Sequence, residues 1–288
     1  MVLDPQKILN WPFEPVMQSY TEKDSILYAL GCGLGADPMD EDQLRFVFEE
    51  PELRALPSMA VVLAAPGFWA RHPDAGIDWV KILHGEQAME IHRPLPAAAK
   101  VAATTKVTDI VDKGRGKGAL LFSKRIVTNV DTGEALATLR STIFARGDGG
   151  CGGTMDKVPK PYTLPERAPD VTCDLPTALN AALIYRLSGD LNPLHASPSV
   201  AKAAGFEQPI LHGLCTWGIA GHAILKTCCD YDPAQLHSMA LRFSAPVYPG
   251  DTIRTEMWRD GNVVSFRARA LERDVVVLNN GRADTTSP

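Results

Sequence analysis

The sequence predicts an α+β fold of two repeats, in each of which an antiparallel sheet wraps a central helix, and three observations predict it. An offset of 153 positions superposes the two halves of the 288-residue chain. It sets Asp37, in Gly33-Leu34-Gly35-Ala36-Asp37, opposite Asp190, and Leu83-His84 opposite Leu236-His237. Around those anchors the same order recurs: a helix, a loop, a second apolar helix, then alternating strands separated by turn residues. Between the halves, Gly147-Asp148-Gly149-Gly150-Cys151-Gly152-Gly153 and a proline-bearing stretch up to Pro169 read as a connection. The expected organisation is a first repeat over 1–150, a linker over 151–169 and a second repeat over 170–288.

In the first repeat the apolar spacing predicts helices over 24–34 and 58–69, followed by strands at about 87–93, 98–112, 118–131 and 134–146. Asp112-Lys113-Gly114-Arg115-Gly116-Lys117-Gly118 is a basic, glycine-rich turn between two of those strands. In the second repeat the apolar run over 178–187 reads as a helix, which Gly189 and Asn192-Pro193 stop. A further helix starts near Gly213 and continues through Ile219, Ala220, Ile224 and Leu225; with so few polar residues it is expected to be buried on most sides. Strands follow over 239–244, 252–259, 262–272 and 275–280. The two central helices differ, because Pro66-Gly67 falls inside 58–69 and a proline within a helix kinks or ends it. Either that interruption leaves room for a ligand or the helix simply ends early.

At 288 residues and 45% hydrophobic the chain can bury a substantial core and is long enough for two domains. A net charge of −5 gives no support to a nucleic-acid partner. Cys32, Cys151, Cys173, Cys215, Cys228 and Cys229 show neither C-x-x-C spacing nor a secreted framework, which points to a reducing compartment and no structural zinc. Residues 1–14 contain acids and prolines without the apolar core of a signal peptide. No 18 apolar residues run uninterrupted, and the best membrane candidate, 59–70, is broken at Pro66-Gly67. The chain ends Thr286-Ser287-Pro288, unlike a peroxisomal S-K-L address, so a cytoplasmic protein without a membrane partner is expected.

The chemistry concentrates in Tyr185-Arg186-Leu187-Ser188-Gly189-Asp190-Leu191-Asn192-Pro193-Leu194-His195. An acid, an amide and an imidazole stand within six residues on irregular backbone, where they can converge on one water molecule. A neutral imidazole beside a carboxylate makes a proton-transfer pair near pH 7. The bland alternative is that Asp190 caps a turn, Asn192 makes an Asx turn and His195 is a satisfied polar residue at the core's edge. Pro209-Ile210-Leu211-His212-Gly213-Leu214-Cys215-Thr216-Trp217-Gly218 then leads into the apolar helix. Gly213 falls in its first turn, where backbone N–H groups lack partners and the dipole favours negative charge. A carbonyl gaining negative charge would be stabilised there, as in an oxyanion hole; otherwise Gly213 only permits close packing. The offset that matches Asp190 to Asp37 places Asp42 opposite His195, and 35–42 contains no N-P-L-H, so the first repeat is expected to be catalytically silent.

Together Y-R-L-S-G-D-x-N-P-L-H and P-I-L-H-G-L-C-T-W-G resemble the signature of the (R)-specific enoyl-CoA hydratases, the hydratase 2 or MaoC-like family. The resemblance extends to Leu241-Arg242-Phe243-Ser244-Ala245-Pro246-Val247-Tyr248-Pro249-Gly250-Asp251 and to His84-Gly85-Glu86-Gln87, and so covers nearly the whole chain. It implies a double hotdog fold and reversible hydration of a trans-2-enoyl thioester to the (3R)-hydroxy product. Asp190 and His195 would grip the water and move the protons, in roles the sequence leaves undivided. Asn192 would hold their geometry and Gly213 would polarise the carbonyl. The resemblance also implies that His84, Gly85, Lys113 and Phe243 contact the acyl-CoA. Without it, the basic turn is a solvated hairpin tip and Phe243 an ordinary core residue. No metal or redox cofactor is expected, coenzyme A being part of the substrate, and a homodimer is implied. Three competing functions remain: a dehydratase acting on acyl carrier protein, a thioesterase, and a non-catalytic acyl-CoA-binding protein.

Overall fold

The computed structural model describes residues 3–154 and 158–286. Ten strands form one antiparallel sheet: β1 (Val16–Tyr20), β2 (Ile82–Ile91), β3 (Ala99–Asp112), β4 (Ala119–Asn129), β5 (Ala135–Ala145), β6 (Val171–Pro176), β7 (Leu236–Phe243), β8 (Thr252–Asp260), β9 (Val263–Ala270) and β10 (Val275–Thr285). Their order, β1-β3-β4-β5-β2-β7-β10-β9-β8-β6, is the same pattern written outward from the middle. Each strand of the first half has its counterpart five strands later. This is the double hotdog, with the halves joined where Glu86 to Glu90 pair with Arg242 to Ser238.

Six α-helices accompany the sheet: α1 (Pro5–Leu9), α2 (Glu22–Gly31), α3 (Glu41–Leu44), α4 (Ala181–Tyr185), α5 (Pro198–Ala203) and α6 (Gly213–Cys228). Among the described residues no helix is long and apolar enough to cross a membrane. The second half's sheet wraps α6, which is largely apolar and buried on most sides, as expected of a central helix. Trp217 is completely buried and its indole N–H donates to the Ser58 carbonyl at 3.3 Å. Gly218 lets the helix approach closely, since a Cβ there would lie 2.3 Å from Cys32 Sγ.

Among the described residues the first half has no such helix. Where apolar spacing predicts a helix over 58–69, the chain makes only a 3-10 turn, Pro57–Val62, then runs in irregular conformation to a second short turn at Trp69–Arg71. Pro66 cannot donate a backbone bond and pushes Ala65 away from helical geometry, while Ala64 and Gly67 adopt positive φ. The Ala64 N–H is taken by the Gln18 side chain, so a helix could not continue there.

Short elements without a counterpart in the expected list include α3 and α5, two edge strands and the first helix. The edge strands β1 and β6 are five and six residues long and carry weak alternation, and α1 is a five-residue helix capped by Asp4. The glycine-rich stretch after β5 is docked rather than loose. The Asp112 carboxylate accepts the N–H groups of Gly114, Gly150 and Gly152, each at 2.8 Å, and a Cβ on Gly149 would lie 2.2 Å from the Gly114 carbonyl. These three bonds hold the Asp112 carboxyl below its usual range.

Candidate active site

The catalytic-type residues meet where the start of α6 faces the seam between β2 and β7. After α4 a 3-10 turn, Arg186–Ser188, ends at Gly189, whose φ of 119° only glycine adopts readily, and the chain reverses. The next turn is built from side chains. Asp190 Oδ1 accepts the Asn192 N–H at 3.1 Å, and Asn192 Oδ1 accepts the Leu194 N–H at 3.1 Å. Pro193 supplies a helical φ at the first position of the single turn Pro193–His195. Asn192 thus does the Asx-turn work of the bland reading, and that turn sets the separation of Asp190 from His195.

His195 is 8% exposed, and its Nδ1–H donates to the Ile210 carbonyl at 2.8 Å. A carbonyl only accepts, so the ring's other nitrogen, Nε2, carries the free lone pair. Burial holds the His195 pKa below its ordinary 6.5, opposed by the Ile210 bond and the Asp190 charge. The imidazole is therefore neutral at pH 7 and basic at Nε2.

His212 stacks on His195 with ring centroids 3.7 Å apart. It is 1% exposed, and its Nε2–H donates to the Asp190 main-chain carbonyl at 3.1 Å. Burial first, and then the neighbouring His195, push its pKa down to about 4. His212 thus links both catalytic-type residues through one bond and one stack. It was not singled out from sequence, although it immediately precedes Gly213 in the quoted motif. The pattern showed adjacency in the chain but not a stack on a residue seventeen positions earlier.

Gly213 is the first residue of α6, and the earliest intrahelical donors, Cys215 and Thr216, both use the His212 carbonyl. The N–H groups ahead of them have no helical acceptor. Gly213 is exposed, and a Cβ there would meet the Phe243 ring at 3.2 Å. Phe243 in turn packs against His84, with centroids 4.8 Å apart. Gly85 is the extra residue of a bulge in β2, between the pairs His84–Ile143 and Glu86–Thr142. A side chain there would crowd the Thr142 carbonyl at 3.2 Å. His84 Nε2 donates to the Glu86 carbonyl at 3.1 Å, and burial pushes its pKa down to about 4. Contacts thus run in series from Asp190 and His195 to His212 and its neighbour Gly213, from Gly213 to Phe243, and from Phe243 to His84 beside Gly85.

Lys113 lies apart from them. It is exposed on the β3–β4 hairpin with its ammonium 4.7 Å from the Phe144 ring, and no hydrogen bond or ion pair joins it to Asp190, His195 or His212 among the described residues. Of all these groups, Asp190, His195 and His212 are the ones whose ligand-type atoms, within 4.8 Å of one another, could hold a cation. Each imidazole already commits one nitrogen to a main-chain carbonyl, which leaves His195 Nε2 and His212 Nδ1.

A double hotdog with one acid–imidazole centre, in its second half, is the architecture of MaoC-like proteins. Residues 161–280 match the MaoC like domain, and residues 18–147 match the MFE-2 hydratase 2 N-terminal domain. The chain is 40% identical to 3-hydroxyacyl-thioester dehydratase Y of Mycobacterium tuberculosis, over 99% of each chain. It is 38% identical to the Arabidopsis thaliana protein named Enoyl-CoA hydratase 2, peroxisomal, covering 90% of this chain and 88% of that one. It also spans 36% of a longer relative, the mouse Peroxisomal multifunctional enzyme type 2, at 38% identity. The crystal structure of a MaoC-like dehydratase from Phytophthora capsici superposes with a TM-score of 0.86 at 37% identity, covering 98% and 99% of the two chains. The chain belongs to the MaoC-like hydratase 2 family.

Proposed function

We propose that the protein is an (R)-specific hydro-lyase of fatty acid metabolism that adds water reversibly to trans-2-enoyl-CoA, giving the (3R)-hydroxyacyl-CoA. The observation that carries this reading is the neutral His195, its Nδ1–H committed to Ile210 and its Nε2 lone pair free, beside Asp190 and the open N-terminus of α6. The names of the relatives, an enoyl-CoA hydratase and a 3-hydroxyacyl-thioester dehydratase, support one reaction read in its two directions.

Water is held between the Asp190 carboxylate and His195 Nε2. As its oxygen bonds to C3, Nε2 takes one proton, and negative charge moves through C2 to the thioester oxygen. The Gly213 N–H, at the positive end of α6, stabilises that oxygen without reorganising. The proton then returns to C2, so water is added whole and the enzyme ends as it began. Asp190 orients the water and balances the transient imidazolium. His84 and Phe243 form the opposite wall, and the space left by the missing first-half helix receives the acyl chain. Lys113 and the basic hairpin take the phosphates of coenzyme A. The reading places the enzyme in the cytoplasm, in keeping with six free thiols, and as a homodimer, for which the exposed Leu179, Leu183, Leu187 and Leu191 offer an apolar face.

The test is loss of enoyl absorbance across a trans-2-enoyl-CoA series, with chiral analysis of the product, for wild type, Asp190→Asn and His195→Gln. Hydration to the (3R) product, lost in both folded variants, supports the reading. Absence of hydration at every chain length sinks it, and dehydration on acyl carrier protein or thiol release would then identify the activity.

A further inference from the structure

The inward face of the first half's sheet ought to be apolar throughout, yet a polar strip crosses it. Directly paired residues on neighbouring strands share a face, so the register arranges inward side chains in rows. Ala103, Val127 and Ala137 form one row within the larger apolar cluster; Ile110, Leu121 and Ile143 form another at the smaller one. Between them lies a row of Thr105, Arg125 and Leu139, and next to it Val107, Ser123, Ser141 and Gln87. Ser123, Ser141 and Arg125 remain partly exposed rather than sealed in either core. The two serine hydroxyls bond each other at 2.8 Å.

Arg125 is the residue without an evident structural need. One guanidinium N–H donates to the Val61 carbonyl in the 3-10 turn, and among the described residues no carboxylate pairs with it. Glu86 and Glu90, on β2 beyond β5, belong to the opposite face and are engaged by Arg242 and Arg140. A half-buried arginine lacking a counter-ion is unusual, and desolvation lowers its pKa to about 10. The register puts the Arg125 and His84 rows on the same face of the sheet, through Leu139 in one row and Ile143 in the other. The row containing His84 lies four residues along β4 from Arg125, about 13 Å at the usual rise of a strand. The basic hairpin lies on the other side of the His84 row. An acyl-CoA whose phosphates sit at that hairpin and whose carbonyl sits at Gly213 would send its tail toward Arg125.

Resting on the hydratase reading, we infer that Arg125, with Ser123 and Ser141, is a specificity determinant that receives a carboxylate at the far end of a medium-length acyl chain. The preferred substrate class is then the ω-carboxy trans-2-enoyl-CoA rather than the unsubstituted one. A carboxylate supplies the missing counter-ion and accepts from the planar guanidinium, and a second oxygen reaches the serine hydroxyls. A methyl terminus leaves the guanidinium unpaired against apolar surface.

The experiment compares trans-2-enoyl-CoA with its ω-carboxy analogue at equal chain length, in wild type, Arg125→Met and Arg125→Lys. Wild type is expected to favour the carboxylated substrate about 10- to 100-fold in kcat/KM, the range of a charge-assisted bond. Arg125→Met loses that preference while staying within about threefold of wild type on the unsubstituted substrate, and Arg125→Lys keeps part of it. No preference in wild type overturns the inference. So does an equal loss on both substrates, which would make Arg125 a support for the Val61 turn. Calorimetric binding of the saturated ω-carboxyacyl-CoA and acyl-CoA separates this inference from the reaction. Arg125-dependent preference in binding without any hydration would keep the inference and refute the hydratase reading.

Discussion

Replacing Gly213 with alanine asks whether the start of α6 receives a carbonyl or only makes room for Phe243. The new methyl would lie 3.2 Å from Phe243 Cε1 and 3.3 Å from Cδ1, so the ring must yield by a few tenths of an ångström. Gly213 holds no left-handed backbone conformation that alanine would strain. Crowding of this kind costs about 1–3 kcal/mol, offset by up to about 1 kcal/mol of helix propensity, so the net loss of stability is about 3 kcal/mol at most. Activity should suffer far more. The methyl stands over the N–H proposed to polarise the thioester, and loss of one such donor costs about 100- to 1000-fold in kcat. The assay is enoyl-CoA hydration at saturating and limiting substrate, beside a thermal melt. The double variant Gly213→Ala/Phe243→Leu relieves the methyl–ring contact but leaves the methyl over the N–H. Restored activity in that variant, or a single variant within threefold of wild type, would refute the oxyanion role and assign Gly213 to packing.

Asp190→Asn and His195→Gln should each lower kcat about 100- to 10,000-fold with melting temperatures close to wild type, as measured by stopped-time hydration assays; comparable turnover in either would remove that residue from the mechanism. Hydration should be insensitive to pH above 6.5 and fall with unit slope only below the depressed His195 pKa, whereas a fall beginning near pH 7.5 would contradict a neutral, buried imidazole. Stability should fall with acid for a related reason. His212 and His222, both buried, are held at about 4 against an ordinary 6.5, so below 6.5 the unfolded chain binds protons that the folded chain refuses. Each lowers stability by up to about 3 kcal/mol by pH 4, visible as a lower urea midpoint at pH 4.5 than at pH 7. Asp112→Ala removes an acceptor of three N–H groups and should cost about 1–3 kcal/mol while raising KM for CoA thioesters at unchanged kcat. An unchanged KM in a weakened fold would separate the basic hairpin from coenzyme A.

The legibility of the chain follows the range of the interactions concerned. Strands β3, β4 and β5 are eleven or more residues long between turns bearing glycine or proline, and α6 is a long, largely apolar run, so their extent shows locally. The helix expected over 58–69 failed because apolar content says nothing of direction: Pro66, the positive φ of Ala64 and the Gln18 side chain decide it, and Gln18 is 46 residues away in sequence. Strands β1 and β6 were missed because short edge strands owe their existence to a partner, β3 in one case and β8 in the other.

Residue identity in a short window determined the turn that carries Asp190, Asn192 and His195, since an Asx side chain and a proline act within three or four residues of themselves. The same holds for the glycine at the first turn of α6, and the 153-residue offset with its unmatched N-P-L-H is what assigns the expected chemistry to the second half. Tertiary structure alone decided which nitrogen of His195 is free, because its partner is the Ile210 carbonyl fifteen residues on. It also decided that His212 stacks there, that Phe243 lies against both Gly213 and His84, and that no carboxylate among the described residues pairs with Arg125. Burial and long-range contact set those properties, and neither is a property of any single stretch of chain.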